Sequence, residues 1–245
     1  MPDAGRLGAA SRAEADYVEL PVASWVMRAE EAELAAVASA LPPPLAANVF
    51  LPSDLSLLGP DLDPARVDAY VDTALGRIQR LGVRTLVFGS GQARSIPAAM
   101  SPAQGLDGLE QFLREAGRRA SEAGITLVLE PLRSAESNVW TSVREAAAFL
   151  RARDVPGVRL LADLYHMREE SEPVDAVAEA AGLLAHVHVA GPGRRAPCAD
   201  AELRAFFAAL REAGYAGDCS IECRWDDFAE EVGPAVAAVR AAARG

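Results

Sequence analysis

Seven short apolar runs punctuate the chain: Tyr17–Leu20, Ala46–Phe50, Arg84–Phe88, Ile125–Glu130, Val158–Asp163, Ala185–Val189 and Cys219–Cys223. They alternate with helical patterns, the signature of repeated βα units around a parallel sheet. The runs recur at intervals of roughly 30–40 residues, the size of a βα unit with its loops. The clearest helix is Asp63–Leu81, where Asp63 caps and Pro64 takes the first helical position. Val67, Tyr70, Val71, Ala74, Leu75 and Ile78 keep a 3.6-residue period, and Gly82 stops it. Gly5–Ala15, Leu106–Ala123, Ser142–Arg153, Val174–Ala181, Asp200–Ala213 and Phe228–Ala243 supply the rest of an outer helical layer. Their apolar stripes are core packing and carry no chemistry.

No low-complexity linker or shift in composition divides the chain, so residues 1–245 are expected to form a single domain. The expected fold class is α/β, a (β/α)8-type TIM barrel lacking its first strand within this chain. The N-terminus carries that anomaly. A polar, Ala-rich stretch leads into Asp16-Tyr17-Val18-Glu19-Leu20, and nothing strand-like precedes it. Either the barrel lacks its first strand, or the true start lies upstream of Met1. The expectation is a gap between the first and last strands, with two unpaired edges that are an association hazard and leave a homo-oligomer open.

Composition narrows the partners. Hydrophobic residues make up 51% and charged residues 24%, as in an ordinary globular protein. No apolar run approaches the roughly 20 residues that span a bilayer, and no signal pattern opens the chain, so a cytoplasmic location is the default. The net charge of −11 repels phosphate backbones and anionic membranes, which argues against nucleic acid or membrane as a partner. Cys198, Cys219 and Cys223 form no CxxC pair and are read as reduced, mostly buried thiols.

The candidate chemistry sits where strands end. Val158–His166 reads VRLLADLYH: Asp163 comes as the strand leaves the core, and His166 is expected on the loop just after it. On its own, Asp163 could merely cap the next helix and His166 could be a surface residue. Three other strands end in the same manner, with Glu130, His188 and Glu222. The C-terminal rim of a parallel barrel is where side chains meet a ligand. Carboxylates converging on a dry interior repel one another unless a cation, or an arginine such as Arg133, Arg194 or Arg224, neutralises them. Three carboxylates and one imidazole make a mainly oxygen donor set, suited to one divalent ion, Mn²⁺, Mg²⁺ or Co²⁺, with about two positions left for substrate oxygens. His186 lies one layer deeper on the same face and is read as an interior hydrogen-bonding residue. Gly89-Ser90-Gly91 lacks the spacing of a phosphate loop and is read as a tight turn that lets substrate approach the backbone. Trp25, Phe50, Trp140 and Trp225 are candidates for an apolar wall against the C–H face of a ligand, with plain packing the rival reading.

From about Tyr17 to its C-terminus the chain resembles the xylose isomerase-like barrel superfamily, in particular its sugar phosphate isomerase/epimerase members. The matching pieces are VFGSG at Val87–Gly91 with Arg94 and Pro97 after it, LEPL at Leu129–Leu132, DLYH at Asp163–His166, HVHV at His186–Val189 and IECRW at Ile221–Trp225. The resemblance implies that Glu130, Asp163, His188 and Glu222 are the metal ligands. It also implies substrate-binding roles for Glu136, six residues after the first ligand, His166, three after the Asp, and Arg194, six after the metal His. One departure is clear. Where members often read Glu-Pro-Leu-Asn-Arg, this chain has Glu130-Pro131-Leu132-Arg133-Ser134, which puts a cation in place of an amide.

The expected activity is metal-assisted proton transfer beside a carbonyl of a sugar, sugar phosphate or keto-polyol. Glu130 and Glu222 are the catalytic pair, and an enediolate is stabilised by the ion. Return of the proton on the opposite face epimerises; return on the neighbouring carbon isomerises. Two rivals remain: a dehydratase on the same site, and a non-catalytic sugar-binding barrel. The DNA-repair branch of the superfamily needs several more histidines than the three present here, and the acidic surface opposes it.

Overall fold

A computed structural model describes residues 3–245. Seven parallel strands follow one another in chain order around a nearly closed barrel: β1 (Val18–Pro21), β2 (Pro44–Asn48), β3 (Thr85–Phe88), β4 (Thr126–Leu129), β5 (Val158–Asp163), β6 (Leu184–Val189) and β7 (Asp218–Ile221). Helices α1 (Ala4–Arg12), α2 (Glu31–Ala38), α3 (Pro64–Arg80), α4 (Pro102–Glu122), α5 (Val143–Arg153), α6 (Leu164–Glu169), α7 (Ala176–Glu179), α8 (Ala201–Glu212) and α9 (Phe228–Arg244) lie before and between them. No helix among the described residues is long and apolar enough to cross a membrane.

The strands fall where the apolar runs do, with instructive offsets. β2 starts at Pro44, two residues ahead of the apolar run. A proline lacking its N–H is tolerated at the first residue of a strand. Val49 then turns to φ +48° and takes Phe50 out of the strand. The expected helix Val174–Ala181 shrinks to the single turn of α7. Helix α2, capped reciprocally by Glu30 and Glu33, and the π-helical turn Val22–Val26 had no clear periodicity to announce them. Helix α6 corrects the placing of His166, which is the third residue of a helix rather than part of a loop.

Among the described residues β1 and β7 share no backbone ladder, so the barrel is open along one seam, as expected. Side chains stitch it instead. Tyr17 Oη lies 2.7 Å from Ser220 Oγ, and the Ser220 hydroxyl donates to Glu19. On the outside, α1 packs against α9, and Arg240 of α9 reaches Asp16 at 3.2 Å. Between them a cleft of about 460 Å³ remains, lined by Leu7, Val18, Cys219, Ile221 and Val232 among others.

Strand alternation divides the side chains between two environments. Leu86, Phe88, Leu127, Leu129, Leu160, Val187 and Val189 face outward and join Ile78, Leu109, Leu113 and Phe206 in the main core. Inward-facing Val87, Val128 and Leu161 form a small separate cluster, leaving the rest of the barrel lumen to polar groups. Register then sets the rim. β6 carries an extra residue, so Leu160 pairs with Leu184 but Leu161 with His186, and Asp163 ends opposite His188. Without that bulge Asp163 would face Val187, whose side chain points outward, because a one-residue slip reverses every facing.

Arg94 braces the rim from behind. It is fully buried, and its guanidinium donates to the carbonyls of Phe88 (3.2 Å) and Glu130 (2.8 Å) while lying over the Trp140 ring. Burial lowers its pKa to about 10, which still leaves it charged at neutral pH. Replacing Arg94 by Met leaves the buried Glu130 carbonyl without its donor, at about 1–3 kcal/mol, whereas Phe88 O keeps the Glu130 N–H. Urea unfolding of Arg94→Met is therefore expected to show a loss of roughly 1–3 kcal/mol.

Candidate metal and substrate site

Four strands deliver Glu130, Asp163, His188 and Glu222 to one place. Asp163 and His188 are paired in register. Glu130 and Glu222 stand one residue beyond β4 and β7, where their N–H groups extend the ladder by donating to Phe88 O and Val189 O, both at 3.1 Å. One ligand-type atom from each of the four lies within 4.8 Å of the other three. His188 Nδ1 is 3.3 Å from Glu130 Oε1 and 3.6 Å from Glu222 Oε2.

The atoms facing the centre lack partners. Glu130 Oε1, Asp163 Oδ2 and His188 Nδ1 are buried and make no hydrogen bond. Leaving buried polar atoms unmet costs about 1–3 kcal/mol each, more when charged. Three orphans of ligand type drawn together are a candidate donor set for a cation, and the chemistry of that set fits a hard divalent ion. Asp163 serves both readings considered for it. Its Oδ1 caps α6 by accepting from the Tyr165 N–H at 2.8 Å, while Oδ2 faces the cluster. Burial, only partly offset by His166 and His188, pushes its pKa up to about 6. Glu222 goes the other way. Burial would raise it, but the hydrogen bond and charge of His188 and the charge of Arg194 prevail and bring it down to about 2. Asn48 at the end of β2 also donates to Glu222, at 3.0 Å. Burial works against a proton on His188, but Glu19, Glu130 and Glu222 together hold its pKa well above the usual imidazole value.

The three residues read as substrate-binding surround this cluster. His166 is 2% exposed, so it is no surface residue. Its Nδ1 accepts from the Arg133 N–H at 3.1 Å, which puts the proton on Nε2. That Nε2 has no hydrogen-bond partner and lies 3.6 Å from Asp163 Oδ2, a donor available to a ligand. Arg194 pairs with Glu222, lies over the Tyr165 ring and comes within 3.7 Å of Glu136 Oε2. The departure at Arg133 is absorbed locally, since its guanidinium binds Glu136 at 2.7 Å and Glu169 at 2.9 Å. Of the three arginines considered as neutralising partners, Arg194 alone is paired with an acid of the cluster.

Other expectations change. Gly89 and Gly91 make room for the protein rather than for substrate: a Cβ on Gly89 would sit 2.3 Å from Glu130 Oε2, and one on Gly91 would sit 2.1 Å from the Glu136 carbonyl. Trp25, Phe50 and Trp140 are buried in the core, and Trp225 packs on Phe228 beside the seam, so no sugar-facing wall forms from them. The cysteines are free, but Cys198 is exposed and the other two are half-buried. Glu19 and Asn48 escaped the sequence reading. Glu19 lies inside β1 rather than at its end, and Asn48 ends a strand in an amide. His186 is an interior hydrogen-bonding residue, 3.1 Å from Glu19 Oε2 and 3.0 Å from Ser220 Oγ.

A parallel barrel carrying oxygen and imidazole donors at the C-terminal rim of its strands is a TIM-barrel protein with a candidate metal centre. Residues 7–244 match the family described as xylose isomerase-like TIM barrel, and the chain belongs to that family. It is similar to the ketose 3-epimerase of Arthrobacter globiformis, 32% identical over 123 residues that cover 49% of this chain and 42% of that protein. It is also similar to the 3-dehydro-D-guloside 4-epimerase of Escherichia coli, 30% identical over 128 residues, 50% of this chain and 48% of that one. The matched stretches thus span less than half of the length of either relative. A crystal structure of D-psicose 3-epimerase in the presence of D-fructose superimposes with a TM-score of 0.81 at 21% identity, covering 100% of this chain and 95% of that one.

Gly89→Ala separates the site from the fold. The atom that an added methyl would strike is the far end of the Glu130 side chain, which can swing away at little cost to packing. The variant is expected to unfold within a few degrees of the wild type while binding Mn²⁺ at least about tenfold more weakly, as measured by calorimetric titration.

Proposed function

We propose that the chain is a divalent-metal-dependent sugar epimerase that inverts the carbon next to the carbonyl of a ketose or related keto-sugar. The observation that carries this reading is the trio of buried, unpartnered ligand atoms on Glu130, Asp163 and His188, with Glu222 beside them. The names of the relatives support the same chemistry. A ketose 3-epimerase and a 3-dehydro-glycoside 4-epimerase both act at the centre adjoining a keto group.

Glu130, Asp163, His188 and Glu222 would hold the ion, Mn²⁺, Mg²⁺ or Co²⁺. When bound, it supplies positive charge that stabilises the enediolate formed after deprotonation. Glu130 and Glu222 approach from β4 and β7, on separate parts of the rim, so a carbon held between them meets a carboxylate on either face. One takes the proton and the other returns a proton opposite, which inverts the centre. His188 and the short contact with Arg194 keep Glu222 ionised and therefore able to accept. His166 offers its Nε2–H to a substrate oxygen, and Arg194 and Glu136 are placed to hold neighbouring hydroxyls. The hydrophobic floor of Val87, Val128 and Leu161 excludes water beneath them.

Two tests follow. In D₂O, Mn²⁺-loaded protein given a panel of ketoses is expected to place deuterium beside the carbonyl with no change in product formula. Glu130→Gln and Glu222→Gln should each lower this exchange by about 10²–10⁴-fold. Full activity in either variant overturns the assignment of the pair, and a product lighter by one water assigns dehydration instead. The second test uses pH. Asp163 retains its proton up to about pH 6 and must release it, as His188 must, when a cation binds. Metal affinity therefore rises with pH, and the gain in Tm on adding Mn²⁺ is expected to be larger at pH 7.5 than at pH 5.

A further inference from the structure

The polar group that the proposed chemistry leaves unused is the one behind the site. The Glu19 side chain of β1 is 8% exposed and lies across the seam from β7. Its carboxylate is met from three directions. Its Oε2 lies 3.1 Å from His186 Nε2 and 3.3 Å from His188 Nε2 and accepts from the Ser220 hydroxyl, while Oε1 lies 3.0 Å from His188 Nε2. Tyr17 closes the chain through its hydroxyl, 2.7 Å from Ser220 Oγ. The two nitrogens of His188 thus look in opposite directions: Nε2 toward Glu19, and Nδ1, unpartnered, toward Glu130 and Glu222.

We propose that Glu19 is a positioning residue which, by accepting the Nε2–H of His188, fixes that imidazole in the tautomer and orientation that present Nδ1 as a metal donor. This rests on the metal reading above. A neutral imidazole carries one proton, and whichever nitrogen keeps it cannot ligate. An anionic acceptor at Nε2 holds the proton there and makes the opposite nitrogen a stronger donor. Such outer partners typically contribute 10–100-fold to metal affinity. Glu19→Gln keeps the size of the side chain but replaces the anionic acceptor shared by the two Nε2–H groups with a neutral amide, which holds the proton on His188 Nε2 less firmly. Ser220 donates to the same carboxylate, and Tyr17, hydrogen-bonded to Ser220, helps to hold it in place across the open seam.

The test compares wild type with Glu19→Gln for Mn²⁺ affinity by calorimetry and for imidazole tautomers by long-range ¹H–¹⁵N spectroscopy of the Zn²⁺-loaded protein. With three histidines in the chain the spectrum is simple to assign. Wild type is expected to show His188 protonated at Nε2 and ligated through Nδ1, and Glu19→Gln to bind Mn²⁺ about 10–100-fold more weakly. An unchanged Kd in Glu19→Gln overturns the inference alone and leaves the metal site standing. Wild type that binds no divalent ion overturns both this inference and the proposed function. Should Glu19→Gln fail to fold, the wild-type spectrum still decides: ligation of His188 through Nε2 overturns the inference, and ligation through Nδ1 with a slowly exchanging Nε2 proton supports it.

Discussion

The arrangement depends on a concentration of negative charge that the fold has taken out of water. Glu130, Asp163 and Glu222 meet at the barrel mouth, Glu19 lies just beneath, and His188 stands between the two levels. Isolated carboxylates in such surroundings are costly, and the protein's own cations offset the cost unevenly. Arg194 is committed to Glu222 and Arg133 to Glu136 and Glu169, while Glu130 and Asp163 face the centre with an oxygen unmet. Together these side chains form the walls of a candidate ion site.

Precision at that point comes from ordinary backbone devices. The bulge in β6 turns Asp163 toward His188, Gly89 clears the space occupied by the Glu130 carboxylate, and Arg94 ties the carbonyl of Glu130 to that of Phe88. None of these groups is a ligand or a proton carrier. Each sets the position of one that is proposed to be, which is why the site can be sensitive to changes that leave the core intact.

Much of this could be read from residue order alone. Apolar runs ending in an acid or an imidazole marked four rim residues because a charge at the end of a buried strand has few places to go. The capped helices were equally clear, as at Asp63-Pro64. Hidden were the features that depend on pairing between distant strands. The β6 bulge has no local signature, and Glu19 reads as one more acid in a short strand until β7 is brought beside it. The glycines of Gly89-Ser90-Gly91 signalled close approach correctly, but only the fold shows that Glu130 and Glu136 are what approach. His166 was placed on a loop because α6, with six residues, is too short to display a period.

The open seam gives this barrel an unusual economy of parts. Tyr17, Glu19, His186 and Ser220 hold β1 near β7 where no backbone ladder does, and the same carboxylate grips His188. If Glu19 orders His188 as proposed, closure of the wall and readiness of the imidazole are two readings of one equilibrium. By thermodynamic reciprocity, occupancy at the mouth would then tighten the wall to the same extent that a tight wall favours occupancy. A complete ring of strands would keep those two properties independent.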